Sequence, residues 1–574
     1  MYILGLNTFH GDSSACLFKD DQLIMAIEEE RLRRIKHWAG FPSQAIAACL
    51  NDAGISVKDL DHITVSKNPL ANLFKKITHT LLKHKKLSTI IDRLTQSKKV
   101  TSIKALLAKE FGVNESEIKA EVHNIEHHRS HMASTFLVSP FDEAAILSID
   151  GFGDFSSTMI GVGKGTQMEV FDSVIYPHSI GAFYTAFTQF LGFMSYGDEY
   201  KVMGLAPYGE AKYVELFEDI IYLTNDGLFK LNEKYFKHSK EGVTMSWEDG
   251  YPSIEPMFSD YMLEKLGKNR EKGEELTQYH KDLAASAQKM TEKAIFHILN
   301  HLQKRTGLKK ICIAGGVAQN SVANGKIYLE TGFDDIYMPP AATDAGTAIG
   351  SALYFYNTEL GNQRVAPMLS ANYGQRFTNE QIEEALKDRN VSFEIKTDDE
   401  INTLVADSLV EGGVIGWFKD RSEFGPRALG YRSILADPTR HDAKEILNLK
   451  IKKREPFRPF APSIMEEHVS EYFEQTDTVR FMEKVFQIKE EKRKDLPAVT
   501  HVDGSGRLQS VSKQINPKYY NMIEAFYKKT GIPIVLNTSF NENEPIVNTP
   551  AEALDCYLRT KMDVLVMENY VVKR

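Results

Sequence analysis

What most constrains this chain is a stretch of local grammar that occurs twice. Residues 2–30 read as a strand (YILGLN), a short Gly/Asp/Ser loop, and two further strands joined by a tight polar turn at Asp20–Gln22. Residues 144–176 repeat those signals: AAILSID, then GFGDFSS, then TMIGVG and QMEVFDSVIY joined at Gly163–Thr166. GVGKGT at that joint lacks the GxxxxGK[ST] spacing of a phosphate-binding loop and reads as a hairpin turn. A chain of 574 residues exceeds what one hydrophobic core organises, so two large domains, or one duplicated domain plus another, are expected.

Two strand–loop–hairpin units, each followed by helical segments, are what a two-lobed nucleotide-binding fold of the actin and sugar-kinase type requires, with phosphates between the lobes. Two unrelated hairpins in a mixed α/β protein would give the same spacing, so the motifs must decide. KKICIAGGVAQNSVANGKI reads as strand, glycine turn and helix, and MPPAATDAGTAIGSALYFY as a polar loop running into a helix with small residues on one face. Both put backbone N–H groups at a helix N-terminus, where anions are favoured. The polar stretch Asn357–Ala371, with Gly361 and Pro367, marks a break, and beyond about Ser370 separate strands and helices carry dense Arg and Lys motifs. The expected domains are 1–357 and 371–574.

Composition excludes several classes. With 42% hydrophobic and 26% charged residues the chain is an ordinary globular one, and a net charge of -9 gives no general field for a polyanion, so nucleic acid is not the expected partner. No basic start followed by a long apolar run opens the sequence and no membrane-length apolar stretch follows, which points to a cytoplasmic protein without an integral membrane segment. Cys16, Cys49, Cys312 and Cys556 form no CxxC pair, so they read as buried thiols in a reducing compartment. Between Lys75 and Lys109 stand ten Lys/Arg and one acid, Asp92, with Leu73, Ile77, Leu81 and Leu82 at helical spacing. That stretch reads as a solvated basic helical excursion, with docking of an anionic acceptor or a membrane surface as the alternative.

The chemistry begins with His127 and His131, four apart on a helix and therefore on one face. Asp150 at the end of AAILSID and Asp344 in AATDAG offer two carboxylates, and two imidazoles with two carboxylates suit Fe2+, Mn2+ or Zn2+ better than Ca2+ or Mg2+. An i,i+4 His pair alone is more often ordinary surface; the loop aspartates tip the balance toward ligands. His123 and His128 read as structural. His10, in the first Gly/Asp/Ser loop, suits a general base taking a proton from a hydroxyl, with Asp12 orienting it or capping the next segment. Loop hydrogen bonding to backbone is the bland alternative for this histidine. Gly315, Gly316 and Asn320 of AGGVAQN form a close-approach turn able to cradle a nucleotide, although any tight turn looks alike.

Cations gather in the second domain. Arg421, Arg427 and Arg432 lie in DRSEFGPRALGYRSILADP, Lys450, Lys452, Arg454 and Arg458 in KIKKREPFRPFAPSI, and Arg507 in DGSGRLQSV. Arginines interleaved with Gly, Pro and Ser in a net-acidic chain read as a phosphate site, because guanidinium forks bind phosphate oxygens bidentately and stabilise a leaving phosphate. Solvated surface arginine is the alternative. NTSFNENEPIV adds Asn537, Thr538, Ser539 and Asn541, suited to a small amide-bearing substrate.

Together GLNTFHGDSSACL, HHRSHMAS, SIDGFGD, GDEYKVMGLAPYGE, AGGVAQN, AATDAG, RSEFGPRALGYRSI, REPFRPFAPSI, GRLQSV and NTSFNENEPIV lie in order between residues 4 and 548. This set resembles the O-carbamoyltransferases that modify nodulation factors, cephalosporins and aminoglycosides. The resemblance implies an α/β fold: an actin-like, duplicated RNase H-like N-terminal domain similar to the tRNA threonylcarbamoyl transferase, then a YrdC-like α+β domain. It implies a two-site reaction, in which carbamoyl phosphate and ATP, with Mg2+, form carbamoyl-adenylate on the C-terminal cations. The adenylate then passes to the N-terminal cleft, where a metal, Fe2+ above all, held by His127, His131, Asp150 and Asp344 anchors its phosphate. His10 deprotonates an acceptor hydroxyl on a sugar, antibiotic or glycolipid. Gly151, Gly153, Lys201, Gly315, Gly316 and Asn320 border the nucleotide, as does Tyr208, and a homodimer is the assembly expected. Residues 226–275 belong to no motif. A tRNA-modifying enzyme would want a positive path that only 75–109 offers, and a hydrogenase-maturation enzyme would want CxxC motifs. A non-catalytic nucleotide-binding regulator would need no second phosphate site.

Overall fold

The computed structural model describes residues 1–83 and 102–574, so the basic stretch between 75 and 109 falls partly outside the described residues; helices Leu73–Lys83 and Ile103–Phe111 flank that part. In the N-terminal sheet β1 (Tyr2–Asn7), β2 (Ser14–Lys19) and β3 (Gln22–Glu28) form an antiparallel meander, and β4 (His62–Val65) and β5 (Glu121–Asn124) add in parallel on the other side of β1. The order is β3-β2-β1-β4-β5. Two small hairpins, β9 (Ile221–Leu223) with β10 (Phe229–Leu231) and β11 (Met245–Glu248) with β12 (Tyr251–Ile254), decorate the second lobe. Its main sheet runs β8-β7-β6-β13-β14, built from β6 (Glu143–Gly153), β7 (Ser156–Lys164), β8 (Gln167–Ile175), β13 (Lys310–Ala314) and β14 (Asp335–Tyr337). Strand for strand this is the first sheet again, with meander, parallel fourth and parallel fifth. The duplicated, actin-like fold follows from that shared order.

Local chemistry explains the copies. β1 and β6 are apolar and buried along nearly their whole length because helices cover both faces, so continuous rather than alternating hydrophobicity marks them. The lobes share one apolar core in which Ile3, Cys16 and Phe18 of the first sheet meet Ile146 and Cys312 of the second and Met132 and Phe136 of the helix His127–Phe136. Two glycines set the closeness of this packing: a Cβ on Gly350 would stand 1.8 Å from the Ser130 carbonyl oxygen, and one on Gly5 would stand 2.2 Å from that of Ala348. Helices Thr347–Leu353 and His127–Phe136 therefore touch backbone to backbone, which fixes where the histidine helix sits.

The C-terminal α+β unit is an eight-stranded mixed sheet in the order β15-β24-β23-β16-β17-β22-β18-β21. Its strands are β15 (Glu394–Ile395), β16 (Ile415–Phe418), β17 (Arg432–Ala436), β18 (Ala461–Met465), β21 (Gln509–Val511), β22 (Ile534–Ser539), β23 (Val564–Met567) and β24 (Tyr570–Lys573), with β19 (Val485–Gln487) and β20 (Ser505–Arg507) paired beside them. Buried polar contacts bind this unit to the first lobe. Arg31, 1% exposed, donates from Nη2 to the Gly425 carbonyl at 2.7 Å, and the Gly425 amide donates to Glu28 Oε1 at 2.6 Å. Arg34 donates to the Ile546 carbonyl at 2.8 Å and pairs with Glu552 at 3.2 Å. Among the described residues no helix is long and apolar enough to cross a membrane.

Candidate active site

The helix His127–Phe136 begins where Asp154 Oδ2 accepts from the His127 amide at 3.0 Å and Glu126 accepts from the Arg129 amide at 2.7 Å. Its i,i+4 spacing turns both imidazoles to one side, as expected. His127 Nε2 lies 3.3 Å from Asp150 Oδ2 and 3.4 Å from Asp344 Oδ1; His131 Nε2 lies 3.4 Å and 3.2 Å from the same two oxygens. The two Nε2 atoms are 3.1 Å apart. One ligand atom from each of the four side chains falls within 4.8 Å of every other, and all four residues are buried. Burial alone would lower His127 and His131, yet hydrogen bonding to Asp150 and Asp344 raises both, and the histidines hold the two carboxyls below their ordinary range despite burial. Two imidazole nitrogens and two carboxylate oxygens converging in a buried spot fit a divalent ion of the iron, manganese or zinc kind.

Glycines shape this spot. A Cβ on Gly153 would meet the His127 ring at 1.9 Å, whereas one on Gly151 would meet nothing within 4 Å, so Gly151 borders open space. Gly315 has φ +109 and packs on the Ile149 carbonyl, which lets the Gly316 amide donate to Asp150 Oδ1 at 2.8 Å. His10 Nδ1 closes on the second oxygen of Asp344, so one carboxylate faces the histidine pair through Oδ1 and His10 through Oδ2. His10 remains 29% exposed on its side chain, open to the cleft. His128 hydrogen-bonds Ser148 at 2.7 Å and is pushed down to about 3 by burial and then His127, a neutral structural residue as expected. His123 instead meets His62 at 3.1 Å with Glu121 nearby, a separate, half-exposed group.

Several expectations need correction. Asp12 does not orient His10; it pairs with His37 Nδ1 at 2.7 Å, because backbone bonds zip residues 9–13 onto residues 37–40. Asn320 is spent on structure: its Oδ1 caps the helix Ser321–Glu330 through the Ala323 amide, and it exchanges bonds with Gln288 at 2.9 and 3.0 Å. Lys201 is paired with Asp198 at 2.9 Å and Glu455 at 3.4 Å, which ties the second lobe to the C-terminal unit rather than leaving a free cation. Tyr208 is half-buried on the 3-10 turn Ala206–Tyr208, where its carbonyl accepts from the Gln278 side chain at 3.3 Å.

Among the C-terminal cations the structure separates two kinds. Arg421 pairs with Asp52 at 2.8 Å and donates to the Gly374 carbonyl, and Arg432 is fully buried, stacked 3.5 Å from the Phe418 ring centroid and bonded to the carbonyls of Lys419, Tyr431 and Asp420. Lys452, 1% exposed, is turned into Ser539 and Asn541, whose oxygens accept from it; Asn541 also donates to the Glu544 carbonyl. Asn537 is 1% exposed, and its amide nitrogen lies within bonding distance of the Ala428 carbonyl, Ser463 Oγ and Gln509 Oε1. These groups are engaged in contacts that hold the fold. Lys450 lies on the π-helical segment Leu447–Lys452.

Arg427, Arg454, Arg458 and Arg507 behave differently. Each of Arg427, Arg454 and Arg507 feels other members of the set as repelling charges, and burial first, then those neighbours, brings Arg427 down to about 10, Arg454 to about 9 and Arg507 well below the ordinary arginine value. Among the described residues no carboxylate lies within ion-pair distance of Arg427, Arg454 or Arg507. Arg507 Nε instead donates to Ser321 Oγ at 3.1 Å, at the start of a helix of the second lobe, and Arg458 stacks 4.6 Å over Tyr200. The set is therefore a cation-rich pocket between the lobes and the C-terminal sheet, with a helix N-terminus at its edge. Sequence reading missed Lys36 and Lys444, whose charges bear on the same set, and His501 beside Arg507, which burial pushes down to about 4. RLRRIKHW gives no cue that Lys36 turns inward, because only the fold brings residue 36 to residue 458.

Two sequence profiles account for nearly the whole chain: one described as Carbamoyltransferase N-terminus matches residues 2–353, and one described as Carbamoyltransferase C-terminus matches residues 406–574. The chain belongs to the carbamoyltransferase family. This carbamoyltransferase is 41% identical over 576 residues to nodulation protein NolNO of Sinorhizobium fredii, covering 99% of this chain and 80% of that one. It is 42% identical over 457 residues to nodulation protein NolO of Bradyrhizobium diazoefficiens, covering 78% and 79%. An uncharacterized protein of Synechocystis sp. is 41% identical over 609 residues, covering 100% of this chain and 97% of that one. Among solved structures, component A of the (R)-2-hydroxyglutaryl-CoA dehydratase of Acidaminococcus fermentans aligns at TM-score 0.32 and 14% identity, covering 63% of this chain and 99% of that one. HypF of T. kodakarensis aligns at TM-score 0.30 and 15% identity, covering 63% and 48%. The repeated strand order, rather than these distant likenesses, carries the fold.

Proposed function

We propose that the chain is an ATP-dependent O-carbamoyltransferase with two working sites, residues 1–357 holding the transfer site and 371–574 most of the activating site. One observation carries this reading: Arg427, Arg454 and Arg507 are gathered and half-buried, with no carboxylate within ion-pair distance of them among the described residues. Such a set is costly unless an anion of several charges completes it. Carbamoyl phosphate and the triphosphate of ATP, bound with Mg2+, are anions of that kind. There carbamoyl phosphate loses its phosphate to water, and an oxygen of the resulting carbamate attacks the α-phosphorus of ATP. The bond to the β-phosphate breaks, giving carbamoyl-adenylate and pyrophosphate, whose charges the arginines stabilise.

In the transfer site His127, His131, Asp150 and Asp344 would hold a divalent ion, Fe2+ or else Mn2+ or Zn2+, supplying Lewis acidity toward phosphate or carbonyl oxygens. Asp344 orients His10 through its second oxygen. His10 accepts the proton of an acceptor hydroxyl as that oxygen bonds to the carbamoyl carbon, and the bond from that carbon to the AMP oxygen breaks. Enclosure between the sites keeps the hydrolysable mixed anhydride from water. The test is incubation with ATP, carbamoyl phosphate and a panel of sugars, antibiotics and glycolipids, followed by a mass scan. Transfer to a hydroxyl yields a product roughly 43 mass units heavier than its precursor. Consumption of carbamoyl phosphate with no ATP cleavage to AMP would overturn the reading.

A further inference from the structure

Between His10 and the cation pocket lies a cluster that the reaction above leaves unused. His37 Nδ1 pairs with Asp12 at 2.7 Å, and the His37 amide donates to Glu30 Oε2 at 2.7 Å. Phe9, Asp12 and His37 all adopt left-handed backbone, with φ of 56, 55 and 56 degrees, although none is glycine. Strain of this sort is held only where the surroundings over-determine it, and it concentrates at working sites. The ring of Tyr196 packs edge-on against His37 with centroids 5.4 Å apart.

Two glycines make this packing possible. A Cβ on Gly11, the residue after His10, would stand 2.3 Å from the Tyr196 phenol oxygen. A Cβ on Gly197, at φ +82, would stand 2.3 Å from His37 Nε2. The phenol oxygen is therefore seated directly on the His10 loop. Asp344, Asp12 and Asp150 all bear on it, which after burial keeps the phenol protonated and a donor. Among the described residues no acceptor takes its hydrogen bond.

We infer that Tyr196 donates a hydrogen bond to a hydroxyl of the incoming acceptor beside His10, and that the His37–Asp12 pair is the positioning unit that seats it. This rests on the transfer reading proposed above and adds to it a residue that binds the acceptor. The hydroxyl-rich class already inferred for the acceptor suits such a donor, because a site built to bond a hydroxyl discriminates strongly against partners lacking one. No covalent step is added: the phenol keeps its proton while His10 takes that of the attacking oxygen.

The experiment uses the full-length enzyme with methyl glucoside as a simple hydroxyl probe, and reads two steps separately. Carbamoyl-phosphate-dependent pyrophosphate release from ATP is expected to be the same in wild type, Tyr196→Phe and His37→Ala. For probe-dependent AMP release, Tyr196→Phe is expected to raise the probe KM roughly 10-fold with little change in kcat. His37→Ala should do the same, His37→Gln should restore most of the loss, and Gly11→Ala should reproduce it by displacing the phenol. An independent arm needs no turnover: tetranitromethane nitration of Tyr196, followed by peptide mapping, should be slow in the wild type and several-fold faster in His37→Ala. Unchanged KM in Tyr196→Phe, or equal nitration rates, overturns the inference. Absence of pyrophosphate release from the wild type would strike the parent reading, and the nitration arm would still decide whether His37 seats Tyr196.

Discussion

Replacing Arg454 by Met should make the ligand-free protein more stable while disabling it. The Arg454 guanidinium is held down to about 9, well below the ordinary arginine value, by burial first and then by Arg458. At about 1.4 kcal/mol per tenfold change in proton affinity, that displacement corresponds to roughly 5 kcal/mol for a fully buried charge. The guanidinium is only half-buried by accessible surface, so screening leaves about 2–3 kcal/mol. Methionine keeps the stem against Phe460, whose ring centroid lies 4.5 Å from the guanidinium carbon, but loses the bonds to Asn448 and Pro459. Those two bonds offset about 1–2 kcal/mol, leaving a net gain of about 1 kcal/mol, or a rise of about 2–4 °C in the midpoint of the C-terminal unit. Calorimetry without ligand should show that rise, and carbamoyl phosphate should stabilise the wild type more than the variant. Pyrophosphate release should fall at least about 100-fold. A variant that melts lower than the wild type and still releases pyrophosphate would refute the view that the arginines are gathered for an anion.

Three further outcomes are expected. His10→Asn should leave pyrophosphate release intact and slow transfer by roughly 10²–10⁴-fold, so equal loss of both steps would contradict the division of labour. Gly153→Ala, whose Cβ would meet the His127 ring at 1.9 Å, should lower retained metal at least about 10-fold in elemental analysis, with the circular dichroism spectrum unchanged. Glu28, buried against Gly425 and Arg31, is raised to about 7 by burial, a shift that Arg31 only partly offsets. The folded state therefore holds this proton more tightly than the unfolded chain does, and stability is lost as pH climbs from about 4.5 through 7. Thermal midpoints should show Glu28→Gln gaining on the wild type across that window by up to about 3 kcal/mol and levelling off above it; parallel curves would exclude this origin.

The parts legible in the sequence were those governed by local rules. Apolar strands broken by glycine turns announced both meanders, and the i,i+4 spacing of His127 and His131 announced a shared face. Asp150 and Asp344 could be added because each lies where a strand or loop meets a glycine. The arginines were not separable in this way. Arg427 and Arg432 stand five residues apart in one motif, yet Arg432 lies on β17 beneath Phe418 while Arg427 faces the pocket, and only the pairing of β16 with β17 decides which. Asp12 reads as a partner for its neighbour His10 until residues 37–40 fold back upon it. Asn320 reads as a ligand for sugar or phosphate until Gln288, 32 residues earlier, arrives to occupy it. Misassigned residues are thus those whose partners are remote in sequence, and Tyr196 escaped notice for the same reason.

The most direct test follows ATP labelled at its α-phosphate in the enzyme without any acceptor. The two-site account predicts pyrophosphate and a labelled adenylate that decays to AMP, only when carbamoyl phosphate is present, in the wild type and in His127→Ala but not in Arg507→Ala. Label recovered as ADP, or pyrophosphate release indifferent to carbamoyl phosphate, would contradict it.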